Sequence, residues 1–200
     1  MKTAGHGQAK VLTPVEIQRL FQDGLQCERY RALFGLCLYT GCRINEACTR
    51  LTRDVYRESG SVRAEVLIRK QDTKGQQATR SIQVHPQLRE WLEAYYVQAG
   101  QVYLFPGRWG RHSLRPTSAH KLLQAAFERV GIVGASTHSF RRTALTQMSA
   151  AGIPLRVIQE LSGHRSLAAL QKYLEVSEEQ KGRAIAALTF YPGVELTAAE

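Results

Sequence analysis

The chain has 200 residues, 44% of them hydrophobic and 8% aromatic, enough for one domain with a sizeable core. Lysine and arginine outnumber aspartate and glutamate by 27 to 17, and this formal charge of +10 points to a polyanionic partner. No apolar run approaches the ~18–20 residues that cross a bilayer, which excludes a helical membrane span, and residues 1–10 lack the apolar stretch of a secretory signal.

Residues 1–10 read as a flexible leader. Thr13-Pro14-Val15-Glu16 then combines an N-cap, a proline at the first helical position and a glutamate two residues later. That helix should run to about Asp23-Gly24. A dense apolar set, with Leu33, Phe34, Leu36 and Leu38, predicts a buried helix over 27–39, closed by Gly41. A short helix follows over 44–50.

The periodicity then changes. Residues 64–68 and 80–84 alternate as strands, joined by a polar turn over 70–79, and 54–56 is a candidate third strand. His85-Pro86 opens a helix to about Gln98. Residues 104–115 read as irregular and basic. Further helices are expected over 118–130, 138–150, 155–161, 167–173 and 177–188, with a polar tail over 191–200. The fold class is mainly α with a small antiparallel β-sheet (α+β).

The four cysteines, Cys27, Cys37, Cys42 and Cys48, form no C-x-x-C pair and fit neither a zinc spacing nor a disulfide framework. They read as reduced thiols, most of them buried, of a cytoplasmic protein. No metal and no cofactor is expected.

Several polar residues are candidates for chemistry. Thr137 reads as a cap that places His138 and Arg141, spaced i and i+3, at a helix N-terminus suited to an anion. Arg43 follows the Gly41 turn and either binds a phosphate or pairs with Glu46. Lys74 sits at the tip of the expected hairpin, where it either serves solubility or reaches into a groove. His164 follows Gly163, and Tyr173 lies nine residues further on. Each has an ordinary structural explanation when taken alone.

Together these residues resemble the catalytic domain of the tyrosine recombinase (integrase) family. The matching strings are Thr40-Gly41-Cys42-Arg43-Ile44-Asn45-Glu46, Thr73-Lys74-Gly75, His138-Ser139-Phe140-Arg141, and Leu161-Ser162-Gly163-His164 through Tyr173. The resemblance covers residues 11–190. It implies that Tyr173 attacks a DNA phosphodiester while Arg43 and Arg141 clamp the phosphate. His138 and His164 would bind the phosphoryl oxygens or manage the tyrosine proton. Lys74, or Lys70 on the same hairpin, would give a proton to the departing 5′ oxygen. The implied activity is site-specific recombination through a covalent 3′-phosphotyrosine, without metal or ATP.

The resemblance further implies double-stranded DNA as partner and a homotetramer on it, with no membrane association. The apolar face of the 177–188 helix, with Ala184, Ile185, Ala187 and Leu188, would dock on a neighbouring protomer. The N-terminal DNA-binding domain that most members carry has no counterpart before residue 11, as in a short member or a fragment. Arg108, Arg111, Arg115 and Lys121 are candidate contacts to the DNA backbone. The competing readings are a type IB topoisomerase, which shares the tyrosine chemistry, and a DNA-binding module without activity.

Overall fold

The computed structural model describes residues 9–69 and 79–188. The helices are α1 (Pro14–Arg19), α2 (Glu28–Thr40), α3 (Ile44–Cys48), α4 (Pro86–Tyr95), α5 (Pro116–Arg129), α6 (Thr137–Ala150), α7 (Leu155–Ser162), α8 (Leu167–Gln171) and α9 (Glu178–Ala186). Between α3 and α4 lie strands β1 (Glu65–Ile68) and β2 (Arg80–Gln83).

Helix α2 is the centre of the molecule. Its run from Ala32 to Leu38 is buried on every side, as expected of a helix that is apolar all round. Helices α4 and α6 pack against it. Phe140 of α6 stacks on Phe34 of α2 at 5.6 Å between ring centroids, and Trp91 of α4 stacks on Phe21 at 4.3 Å. A smaller apolar group, Leu145, Ile158 and Leu170, joins α6 to α7 and α8.

The helix starts follow from local chemistry. Thr13 accepts from the Glu16 amide at 3.2 Å while the Glu16 side chain accepts from the Thr13 amide at 3.0 Å. Ser177 and Gln180 repeat this box on α9. Strands β1 and β2 pair antiparallel, with Val66 opposite Ile82, and bury Val66, Ile68 and Ile82 on one face. The turn expected over 70–79 falls almost wholly outside the described residues, and Lys70 and Lys74 with it. Residues 1–8 and 191–200 are outside as well. Ala9 and Lys10, at the end of the expected leader, are fastened to Arg142 and Gly134.

The structure differs from the sequence reading at several boundaries. Residues 54–56 form no third strand. Thr52–Asp54 is a 3-10 turn, because Asp54 turns inward to hold Arg50 at 3.5 Å and the Arg69 Nε at 2.9 Å. Helix α3 stops at Cys48, and Arg50 beyond it donates to the Glu46 carbonyl at 3.0 Å. The cap of α6 is Ser136, not Thr137. Ser136 accepts from the His138 amide at 3.2 Å, and the Ser136 amide donates to the Ser139 hydroxyl at 3.0 Å. Helix α8 ends at Gln171, so Tyr173 lies beyond it in a tight turn whose amide donates to the Leu170 carbonyl at 2.8 Å. No described helix is long and apolar enough to cross a membrane.

Candidate active site

The Arg141 guanidinium is the hub of the site. It projects from the first turns of α6 into the interior and is 1% exposed. Nη1 donates to the Gly41 carbonyl, and Nη2 donates to the Ser162 carbonyl at 2.8 Å. Both acceptors lie at helix C-termini, where carbonyls are otherwise unsatisfied and the dipole favours a cation. Gly41 and Gly163 cap those helices in the left-handed conformation, at φ 59° and 67°, which residues with a Cβ adopt at a cost. One buried cation thus stitches two glycine turns together. Arg43 follows one turn and His164 follows the other.

Arg43 and a second arginine share one carboxylate. The Glu46 side chain is buried, accepts from Arg43 Nη1 at 3.2 Å and accepts from Arg80 Nη2 at 3.0 Å. Arg43 also donates its amide to Glu46 at 2.8 Å, which fixes the start of α3. The side chain of Arg80, on β2, is itself only 9% exposed. Its Nε and Nη1, like the Nε of Arg141, have no hydrogen-bond partner among the described residues.

Burial and this crowd of cations together lower the proton affinity of the histidines. Burial, followed by the charges of Arg141, Arg43 and Arg80, pushes His164 down to about 3. His164 is therefore neutral near pH 7. Ser162 Oγ donates to the Gln159 carbonyl at 3.3 Å and lies 2.7 Å from His164 Nδ1. Arg141 Nη2 lies 3.1 Å from His164 Nε2 and can only donate. The Nδ1–H tautomer satisfies both contacts. His138 sits on the exposed rim. Partial desolvation, then Arg141, Arg43 and His120, lowers its proton affinity too. Arg141 is lowered to about 10, chiefly by burial, and stays charged.

Tyr173 faces this cluster from the far side. Its ring lies 4.8 Å from the His164 ring and 5.6 Å from the Arg141 guanidinium carbon, measured to ring centroids. Its carbonyl accepts from the Thr146 hydroxyl at 3.2 Å, which ties the turn back to α6.

A sequence model of the phage integrase family matches residues 10–180. The chain belongs to that family. It is 27% identical over 178 residues to a tyrosine recombinase of Pseudothermotoga lettingae, covering 87% of this chain and 59% of that protein. It is 34% identical over 166 residues to the tyrosine recombinase XerD of Mycobacterium tuberculosis, covering 78% of this chain and 50% of that protein. The chain spans about half to two-thirds of the length of such curated relatives. Among solved structures, XerA recombinase shares the fold with a TM-score of 0.75 at 21% identity, over 92% of this chain and 66% of that one. XerH recombinase in a pre-cleavage complex with its difH substrate matches with a TM-score of 0.68 at 20% identity, over 88% and 53%.

Within this integrase-family fold, Arg43, Arg141, His164 and Tyr173 converge, and His138 borders them. The sequence reading expected His138 and Arg141 to point together at the free amides of a helix N-terminus. In the structure the His138 amide donates to the Ser136 hydroxyl and the Ser139 amide to the Ser136 carbonyl, so two of those amides are already taken. Arg108, Arg111, Arg115 and Lys121 are all exposed and lie on α5 or the segment before it. Sequence reasoning missed Arg80, Ser162 and Thr146. Arg80 carried a faint signal, as an arginine at the start of a strand whose inward residues are otherwise apolar.

Proposed function

We propose that this chain carries the catalytic centre of a site-specific DNA recombinase that cuts and rejoins DNA through a 3′-phosphotyrosine. The observation that carries the reading is the packing of Tyr173 against Arg141 and His164. The same guanidinium holds the turn that presents Arg43.

In this reaction the Tyr173 oxygen attacks phosphorus, losing its proton to His138, since His164 already has both ring nitrogens engaged by Ser162 and Arg141. The bond to the 5′ oxygen breaks, and that oxygen takes a proton from Lys74, or from Lys70. Arg43 and Arg141 neutralise the phosphoryl oxygens as charge moves between them; preorganised donors of this kind contribute ~10²–10³ each in rate. General-acid help to the leaving group adds ~10²–10⁴. The phosphotyrosine bond conserves the energy needed for a second strand's 5′-hydroxyl to reverse the step, so ATP is not required. The arginines supply the charge neutralisation that a metal would otherwise give.

Assembly as a homotetramer on DNA fits the state of α9. None of its residues is buried, and Ile185 at 70% exposure, with Leu188 just past the helix end at 56%, offers an apolar face to a neighbour. Arg108, Arg111, Arg115 and Lys121 would contact the DNA backbone, with the salt dependence of such contacts.

The test is a nicked suicide duplex bearing the target site, recovered by selecting bound sequences from random DNA. A denaturation-resistant protein–DNA adduct should form in EDTA and vanish in Tyr173→Phe. No adduct on any selected site, or an adduct surviving Tyr173→Phe, overturns the mechanism.

A further inference from the structure

Residues 106–113 form a small, tightly closed finger ahead of α5. Pro106 and Ser113 bridge antiparallel, the Gly107 amide donates to the His112 carbonyl at 2.7 Å, and the Gly110 amide donates to the Gly107 carbonyl at 3.0 Å. Its base is anchored, since Arg29 donates to the Pro106 carbonyl and the neighbouring Phe105 is buried. The tip carries Trp109, which is 80% exposed. The guanidinium of Arg108 lies 5.2 Å from the indole centroid. With that contact made, most of the ring surface is still open, including room for a second planar group.

The surroundings are of one sign. No aspartate or glutamate occurs between Glu93 and Glu128, whereas Arg108, Arg111, Arg115 and Lys121 all do. The finger runs directly into α5, and His120 on that helix is close enough to lower the proton affinity of His138. The finger therefore leads into a helix that packs on α3, the helix that Arg43 opens.

We infer that Trp109 is a stacking platform for an unpaired DNA base next to the strand break, a role that rests on the recombinase reading above. An indole held at the tip of a rigid loop, with a cation on one face and arginines beside it, is the chemistry of single-strand recognition. A fully paired duplex offers no free base face without unstacking. A cleaved strand on its way to a new partner does. Arg108 and Arg111 hold the flanking phosphates, and Trp109 takes the base.

The test uses the full chain and two labelled duplexes of equal length, one fully paired and one with a short central run of unpaired thymines. Trp109→Ala should weaken binding of the unpaired form by about 5- to 100-fold, and of the paired form by roughly two-fold or less. Trp109→Phe, which keeps a π face, should retain most of the affinity. Wild-type tryptophan emission should be quenched by the unpaired form, while Trp109→Phe, in which only Trp91 emits, should show little change. Equal losses on both duplexes would mean a groove or backbone contact and overturn the proposal. No loss on either would leave Trp109 a solvated tip and overturn it too. Wild-type protein that binds neither duplex at low salt would overturn the DNA reading itself, and this proposal with it.

Discussion

Arg141 and Glu46 are buried in the body of the fold and the Arg80 side chain is nearly so, each held by hydrogen bonds between elements far apart in the chain. Tyr173 is held differently. It follows a five-residue helix, rests on three buried aliphatic residues, and is tied to α6 by one hydroxyl-to-carbonyl bond. From residue 175 to 188 every residue but the half-buried Gln180 is exposed. The two halves of the site thus differ in rigidity by construction. In the mechanism proposed above, the charges that meet a phosphate without reorganising are the locked ones. Tyr173, the proposed nucleophile, sits on a lightly packed segment of the kind that opens at low free energy.

The strongest way to break this contrast is Glu46→Gln. The amide keeps the shape but leaves Arg43 and Arg80 without a carboxylate, and breaking a buried pair in this manner costs ~3–5 kcal/mol. Urea unfolding should show a loss in that range. A loss under ~1 kcal/mol would mean the cations are supported without the carboxylate, and the locked half would be less locked than its geometry implies.

Leu170→Ala probes the other half. It removes one of three residues in the small apolar group, a loss of ~2–3 kcal/mol at a site open enough to relax. The effect should be local. Amide exchange over residues 155–174 should accelerate while the amides of α2 keep their protection. Equal acceleration in α2 would show that the tyrosine segment and the core open as one unit, and the comparison would fail.

The pH dependence comes next in size. Since His164 is pushed down to about 3 in the folded chain, the unfolded chain binds the proton more readily. Stability is then full above about pH 6.5 and falls as pH drops toward 3, by at most ~1.4 kcal/mol per pH unit for this group. His138, lowered in the same direction, adds to the same slope. His164→Gln should flatten the slope measured by urea midpoints between pH 6.5 and 4. An unchanged slope would place the acid sensitivity elsewhere.

These contrasts also explain what could be read from the sequence. The helix starts at Thr13, His85 and Ser177 were legible because caps and prolines act within a few residues. Gly41 and Gly163 were legible as turn residues, and with them the neighbours Arg43 and His164. Arg80 was not, because its partner Glu46 is 34 positions away in sequence. The end of α8 before Tyr173 was not either, since the turn is tied to Thr146 across 27 positions. The apolar pattern of 167–173 could not report that tie. The helix expected to present the tyrosine stops short of it, and this is what gives the tyrosine its loose attachment.

Glu175→Gln makes the smallest expected change and the sharpest test of that attachment. Arg142 on α6 reaches Glu175, two residues past the tyrosine, at 2.8 Å. Glu175 is 52% exposed, so water and salt screen the pair, and its loss should move the urea midpoint by under ~1 kcal/mol. Activity need not follow stability here. Arg142 also holds the Ala9 carbonyl, so its guanidinium stays in place when the carboxylate goes, and only the tyrosine segment is released. A fall of roughly ten-fold or more in covalent adduct formation, with the midpoint unmoved, would mean the pair positions Tyr173 rather than supports the fold. Repeating the assay on wild type in high salt separates the two further, because screening should reproduce the effect of Glu175→Gln on adduct formation once DNA binding is saturated. If adduct formation is indifferent to both, the Thr146 bond and the Leu170 contacts suffice to hold the tyrosine, and the loose half of the site is tighter than its exposure implies.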